Sequence, residues 1–157
     1  MTNLAKFLSP HNVKLDLDVS SKKRLFEHTS LIFENNCGVA SSIVFDNLFA
    51  REKLSSTGLG RGVAVPHGRI KSLKTPLAAF VRLAHPIPFD SPDGNPVHLL
   101  IFLLMPDQVK QQHLETLSEI AELFSDTAMH HLLSTDPDPL SVYQLILSWQ
   151  PRLQSAA

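Results

Sequence analysis

The sequence has little of what several protein classes require. Cys37 is the one cysteine among 157 residues, so an intramolecular disulfide and a cysteine-rich metal site are excluded. The longest unbroken apolar run, 99–105 (LLIFLLM), is too short to cross a bilayer. The N-terminal sequence MTNLAKFLSP lacks the apolar segment of a signal peptide. With 14 Lys and Arg against 15 Asp and Glu, no strongly basic surface is available for nucleic acid.

The remaining composition is that of a folded, cytoplasmic, single-domain protein. Hydrophobic residues make up 43% and charged residues 18% of the chain, which is typical of globular proteins. The length also fits one domain. We expect this domain to span 1–157, with a core from about 4 to 150 and frayed residues at 154–157. Eight histidines are the one unusual feature.

Short strand-like runs alternate with helix-like runs, which predicts an α/β fold. Helices are predicted at 21–36, 41–54, from between 107 and 112 to about 124, at 127–133 and from Pro139 to about 149. Ser20 or Ser21 is the expected cap of the first helix, with Gly38 just past its end, and Asp138 is the expected cap of the last. Strands are predicted at 63–66, 77–83 and 97–105. The last of these is the most hydrophobic, so we expect it to lie in the centre of the sheet.

Helical periodicity predicts which side chains face the core. In the helix 41–54, we expect Ile43, Val44, Leu48 and Phe49 to face inward and Glu52 and Lys53 to face outward. In the helix that ends near 124, the predicted apolar face is Leu114, Leu117, Ala121 and Phe124, with Ile120 and Leu123 beside it.

The segment most informative about chemistry is 51–69, REKLSSTGLGRGVAVPHGR. Three alternating glycines allow a close backbone approach to a ligand and expose N–H groups that favour anions. Pro66 and Gly68 flank His67 and are expected to hold it on a rigid corner. A histidine held in this way can act as a nucleophile or as an acid/base group.

Several standard site classes do not match. Val63 occupies the position where a dinucleotide fingerprint needs its third glycine. No Gly-Lys-Ser/Thr and no G-x-S-x-G occurs, which excludes a P-loop and a nucleophile elbow. The adjacent pair His130 and His131 does not predict a metal site, because neighbouring residues on a helix point apart.

The segment 51–69, with its A-V-P-H-G core, resembles the type-2 enzyme IIA domains of the bacterial phosphoenolpyruvate-dependent phosphotransferase system. Its wording is most similar to the nitrogen-regulatory branch of that family. The resemblance extends through the loop 89–96, the strand 97–105 and the helix HLETLSEIAELF, and covers about 4–149. It implies a mixed β-sheet of about five strands with helices on both faces.

The resemblance also implies a phosphohistidine protein. By match to the family motif, His67 is the phosphoryl acceptor, and Arg51, Thr57 and His113 correspond to positions that line the family's active site. The implied donor is an HPr-like phosphocarrier protein, charged by an enzyme I from phosphoenolpyruvate. No metal or other cofactor is expected.

Physical chemistry is compatible with these roles. Phosphoryl transfer requires mainly positioning and charge stabilisation. The planar guanidinium group of Arg51 can form paired hydrogen bonds to the arriving phosphoryl group. The Thr57 hydroxyl and the backbone N–H groups of Gly58, Gly60 and Gly62 are candidates for further phosphate contacts. His113, near the N-terminus of its helix, is an expected auxiliary hydrogen-bond donor.

Three functions remain open from the sequence. The first is a free-standing phosphocarrier that regulates potassium-transport or nitrogen- and stress-linked proteins, which the absence of an attached IIB or IIC domain favours. The second is a fructose- or mannitol-type IIA component that passes phosphate to a IIB domain. The third is an anion- or partner-binding module without covalent chemistry. Arg61 and Arg69 are surface charges or donor contacts, and Phe89 is a core residue or part of an apolar rim.

Overall fold

The fold is known from a computed structural model, which describes residues 1–151; the predicted frayed end, 154–157, lies outside them. The helices are α1 (Asn3–Phe7), α2 (Lys22–Cys37), α3 (Ser41–Leu54), α4 (Gln111–Ser125), α5 (Thr127–Thr135) and α6 (Pro139–Ser148). The strands are β1 (Leu8–Leu17), β2 (Gly58–Gly60), β3 (Val63–Ala64), β4 (His67–Ile70), β5 (Leu77–Ile87) and β6 (Val97–Pro106).

The strands form one mixed sheet in the order β1-β5-β6-β3-β2, with β4 also paired to β6. Strand β5 runs parallel to β1 and antiparallel to β6, whereas β3 and β4 both run parallel to β6. The predicted α/β class and the central position of β6 are confirmed. The sheet has six strands rather than about five, and β1, β2 and β4 were not among the strands that local patterns predicted. Strand β1 was missed although 13–17 (VKLDL) alternates apolar and polar residues, because its first half, 8–12 (LSPHN), does not.

Each face of the sheet has its own hydrophobic core, and β6 contributes to both. Leu100, Phe102 and Leu104 pack with α2 and α3 on one face, and Leu99, Ile101 and Leu103 pack with α4 to α6 on the other. A strand buried on both faces needs a continuous apolar sequence. This explains the unbroken run of the central strand.

The predicted helix ends are confirmed where the sequence carries capping residues. Ser21 Oγ accepts a hydrogen bond from the Arg24 N–H at the start of α2 (3.2 Å), and Gly38 ends that helix in the left-handed conformation. Asp138 accepts from the Leu140 N–H (3.1 Å), and Pro139 is the first residue of α6. Within residues 1–151, no helix is long and apolar enough to span a membrane.

The predicted orientation of α3 is wrong at both ends. Ile43 is 47% exposed, whereas Glu52 is only 5% exposed. Glu52 is buried because Lys22, at the start of α2, places its ammonium group 2.9 Å from the Glu52 carboxylate. A counter-charge from another helix is invisible to a periodicity argument, and it is what permits a carboxylate inside the fold.

Candidate functional site

The backbone around His67 is fixed by the central strand. Val63 and Ala64 pair with Leu99 and Leu100 of β6, and His67 pairs with Leu103 three residues further on. Between the two short strands, the Pro66 carbonyl accepts from the Leu103 N–H (3.0 Å). His67 therefore stands at the first residue of β4, directly after a proline, at a position set by the sheet itself.

The geometry determines the tautomer of His67. Its Nδ1 lies 2.8 Å from the Val65 carbonyl oxygen. Because a carbonyl can only accept, Nδ1 carries the proton and donates. In the neutral ring, Nε2 then keeps its lone pair. Nε2 forms no hydrogen bond with the residues that the structure describes, so it is the nitrogen left for an incoming electrophile.

Burial keeps this ring neutral. Desolvation lowers the pKa of His67 below its ordinary value of 6.5, the hydrogen bond to Val65 opposes this, and the positive charge of Arg51 lowers it further. The negative charge of Glu52 acts in the opposite direction. A neutral imidazole at pH 7 is the form that can attack phosphorus.

His67 lines a cavity of about 240 Å³. Arg51, Thr57 and Gly58 line the same cavity, so the structure brings together four of the residues predicted for the site. Arg51 comes from the last turn of α3, where its Nη1 donates to the Ser55 carbonyl (2.9 Å). The other walls come from Ser56, Leu59, Val65, Leu117 and Ala121.

Thr57 has a different immediate partner from the one predicted. Its hydroxyl donates to Glu52 Oε1 (2.6 Å), and its backbone N–H donates to Glu52 Oε2 (3.1 Å). The hydroxyl proton is therefore engaged by a carboxylate and, in this arrangement, is not available to a phosphate oxygen. Glu52 could not be recognised as a site residue from the sequence, because its buried counter-ion Lys22 lies thirty residues away in the chain.

The three glycines predicted to contact phosphate are separated by the fold. Gly58 lines the cavity, whereas Gly60 and Gly62 do not belong to its lining. At Gly62 the backbone has a φ of 81°, and a Cβ would lie 2.6 Å from His98 Nδ1. Glycine is required at 62 by backbone conformation and by the neighbouring ring.

His113 lies outside the His67 cavity. It is 5% exposed, and its Nδ1 accepts from the Lys110 N–H (3.0 Å), so a neutral ring carries its proton on Nε2. The ring lines a separate cavity with Lys71, Lys74 and Lys110. On α4, His113 stands one turn before Leu117, which does line the His67 cavity.

The predicted apolar face of α4 is wrong for two of its four residues. Leu114 is 49% exposed and Ala121 is also exposed, whereas Phe124 is buried and packs with Ile120 and Leu123. Ala121, together with half-buried Leu117, forms the α4 wall of the His67 cavity. Apolar residues that the core of the fold does not bury, such as Ala121 on α4, are the sequence signal for this wall.

The flanking residues left open by the sequence have defined positions. Phe89 is 1% exposed and belongs to the core. Arg61 donates to the Phe124 carbonyl (2.9 Å), while Arg69 is exposed on β4. Among residues 1–151 there is no group of three or more His, Cys, Asp or Glu side chains arranged to hold a metal ion.

The cavity thus combines a neutral imidazole with a free Nε2 lone pair, a guanidinium group and an open face bounded by apolar side chains. A nucleophile and a cation that line one small cavity suit the acceptance of a phosphoryl group. Comparison with known proteins gives the family of the chain. Residues 6–149 match the family described as "Phosphoenolpyruvate-dependent sugar phosphotransferase system, EIIA 2".

Individual relatives agree with this assignment. A nitrogen regulatory protein from Pseudomonas aeruginosa is 35% identical over 151 residues, which cover 96% of this chain and 98% of the relative. The crystal structure of the nitrogen regulatory protein IIA-Ntr from Neisseria meningitidis superposes with a TM-score of 0.86 at 43% identity, covering 90% of this chain and 97% of that one.

A more distant neighbour shares the fold. Enzyme IIA mannitol from Escherichia coli, in complex with phosphorylated enzyme IIB mannitol, superposes with a TM-score of 0.74 at 18% identity, covering 90% of this chain and 97% of that one. The chain belongs to the EIIA type-2 family of the phosphoenolpyruvate-dependent phosphotransferase system. It is a phosphotransferase-type component, and its relatives at 35% and 43% identity are nitrogen regulatory proteins.

Proposed function

We propose that the protein is a phosphohistidine carrier of the nitrogen-related phosphotransferase system. An HPr-like phosphocarrier protein donates a phosphoryl group to Nε2 of His67, and the phosphorylation state then controls which partner proteins bind. The observation that carries this proposal is the hydrogen bond of 2.8 Å between His67 Nδ1 and the Val65 carbonyl, which leaves Nε2 as the nucleophile.

The proposed transfer needs little more than the residues at the cavity. The lone pair of Nε2 forms the new bond to phosphorus, while the bond from phosphorus to the donor's histidine breaks and its electrons return to the donor ring. The proton on Nδ1 stays in place, held by Val65. Arg51 offsets the negative charge of the phosphoryl oxygens. No metal is part of this scheme.

His113 enters the proposal as an auxiliary residue. It lies one turn before Leu117 on α4, and its neutral ring has an N–H on Nε2 that is free to donate. A hydrogen bond from it to the bound phosphoryl group requires that donor docking or phosphorylation brings the two cavities into contact. Its role is therefore separable from that of His67 by substitution.

Regulation of partner proteins, rather than sugar uptake, is the favoured use of the phosphoryl group. The relatives at 35% and 43% identity are nitrogen regulatory proteins, and the mannitol component is 18% identical. The proposed targets are potassium-transport or nitrogen- and stress-linked regulators in the cytoplasm. A doubly charged group added at the cavity rim changes which surface can dock there.

Intact-mass measurement tests the proposal. The wild-type protein and His67→Ala are incubated with phosphoenolpyruvate, enzyme I and the phosphocarrier protein. We expect one acid-labile phosphoryl group on the wild type and none on the variant. Failure of a donor that phosphorylates another IIA protein to modify the wild type would leave a binding module. Rapid loss of the group to a IIB cysteine would support a sugar-specific component instead.

A further inference from the structure

A buried ion pair supports the wall of the His67 cavity. Glu52 directly follows Arg51 in α3, and its side chain is 2% exposed. Its Oε2 lies 2.9 Å from Lys22 Nζ, and the lysine side chain is 18% exposed. Removing one member of such a pair leaves an uncompensated charge inside the fold. Each of the two charges therefore depends on the other for its burial, unlike the charges of a surface ion pair.

The carboxylate of Glu52 holds the loop that follows α3. Oε1 accepts from the Thr57 hydroxyl and Oε2 from the Thr57 N–H, so one side chain fixes both the backbone and the rotamer of Thr57. The next N–H, of Gly58, donates to Ser56 Oγ (3.1 Å). Residues 56–58 all line the cavity, and this network sets their position relative to His67.

Lys22 connects this network to the loop between β5 and β6. Its ammonium group donates to the Phe89 carbonyl (3.0 Å) and lies 4.1 Å from the centre of the Phe89 ring. The same carbonyl accepts from Ser56 Oγ (2.7 Å). Asp90, 94% exposed, is 3.9 Å from the ammonium group and adds little.

We infer that Glu52 and Lys22 are a charge-balanced pair of positioning residues for phosphoryl acceptance, acting on the cavity through Thr57. The inference rests on the proposed function. It requires no contact between Glu52 and the phosphoryl group. The carboxylate orients residues 56–58, and Lys22 offsets part of a negative charge that would otherwise repel the arriving group.

The pair also suits the charge that forms at His67 during transfer. When Nε2 bonds to phosphorus and Nδ1 keeps its proton, the ring itself becomes positively charged. Glu52 is close enough for its charge to favour a protonated His67 ring, whereas Arg51 faces the same ring with the opposite charge. Glu52 thus stabilises the positive charge on the His67 ring, and Arg51 stabilises the negative charge on the phosphoryl oxygens.

Single-turnover phosphorylation of Glu52→Gln tests the inference. The variant keeps the size of the side chain and removes its charge. We expect the maximal rate at saturating donor to fall roughly tenfold or more, the effect of one charge-assisted hydrogen bond. KM for the donor should stay unchanged, because Glu52 is buried and cannot touch it. Glu115→Gln, an exposed glutamate on α4, is the matched control.

Thr57 variants test whether Glu52 acts through that residue. Thr57→Val removes the hydroxyl and should slow the reaction, whereas Thr57→Ser keeps it and should retain the rate. The double variant Glu52→Gln/Thr57→Val should be no slower than the slower single variant, since both changes disrupt the same hydrogen bond between Glu52 and the Thr57 hydroxyl. If the rate reductions of the two single variants multiply in the double variant, Glu52 does not act through Thr57.

Lys22 variants separate charge balance from folding. Lys22→Met leaves the buried carboxylate without its partner and should both slow phosphorylation and lower the unfolding temperature. Adding Glu52→Gln should restore the unfolding temperature, because both charges are then gone, but not the rate. Lys23→Met changes an exposed neighbour on α2 and should alter neither.

A measurement without donor distinguishes this inference from the proposed function. NMR titration of the His67 ring in Glu52→Gln should show a lower pKa than in the wild type, because the negative charge that raises it has been removed. A wild type that accepts no phosphoryl group overturns both proposals. A wild type that accepts one, with Glu52→Gln reacting equally fast and titrating identically, overturns this inference alone.

Discussion

Replacing Gly58 by alanine should destabilise the protein through one identifiable contact. A Cβ at this position would meet the side chain of Ser91, its Oγ closest and its Cβ at 3.0 Å, and would approach the Ser91 Cα to 3.2 Å. Ser91 is itself 8% exposed, so it has little room to move away. The glycine is therefore required here by its contact with the β5–β6 loop.

The cost follows from overpacking. Inserting a methyl group into a packed site costs about 1–3 kcal/mol, and a contact this close belongs to the upper half of that range. Alanine recovers about 0.4–1 kcal/mol by restricting the unfolded chain. The net loss is about 2 kcal/mol, which lowers the unfolding temperature of a chain of this size by about 4–8 °C.

Thermal unfolding followed by far-UV circular dichroism measures this loss. Ser91→Ala removes the closest atom of the contact, and because Ser91 Oγ has no hydrogen-bond partner among the described residues, it should cost little alone. In the Ser91→Ala background, Gly58→Ala should cost about 1 kcal/mol less. Gly38→Ala, where a Cβ meets nothing within 4 Å, should be insensitive to Ser91→Ala. A Gly58→Ala protein as stable as the wild type would refute the reasoning.

Three other predictions concern the site. Arg51→Ala should slow phosphorylation or shorten the phosphohistidine lifetime by about 10- to 100-fold, and an unchanged rate and lifetime would remove Arg51 from the site. The pKa of His67 is lowered by burial, so the acid limb of the phosphorylation rate should lie below pH 6.5. Between the folded pKa and pH 6.5, the unfolded chain carries a proton on His67 that the folded chain does not. The neutral ring therefore stabilises the fold fully above pH 6.5, and this contribution is lost as pH falls through the folded pKa. The stability of His67→Gln, measured by chemical denaturation across this pH range, should lack that dependence. His113→Ala should accept phosphate on His67 but transfer it poorly, and phosphate bound to His113 in His67→Ala would reverse the assignment.

Sequence periodicity predicted those elements whose signal is local. Capping residues located the start of α2 and of α6, and the run 97–105 identified β6 because a strand buried on both faces must be apolar throughout. Strand β1 was missed because its first half, 8–12 (LSPHN), is mostly polar, although 13–17 (VKLDL) carries the alternation of a half-buried strand. Its place in the sheet comes from pairing with β5, a long-range contact that no local pattern encodes.

At the site, the motif located the residues but not their partners. The structure places Arg51, Thr57 and His67 around one cavity, as the resemblance implied, whereas His113, also implied, lines a separate cavity. The sequence could not show that the Thr57 hydroxyl is bonded to Glu52, because burial of Glu52 depends on Lys22 from another helix. Side chains that are distant in the sequence become partners only in the folded structure, so local patterns cannot predict these contacts.

The most direct test of the account is the identity of the phosphorylated atom. Long-range proton–nitrogen NMR correlations on the phosphorylated, nitrogen-15-labelled protein assign phosphorus to one ring nitrogen of one histidine. We expect phosphorus on Nε2 of His67, with the proton still on Nδ1 and hydrogen-bonded to the Val65 carbonyl. Phosphorus on Nδ1 of His67, or on any other histidine, would contradict it.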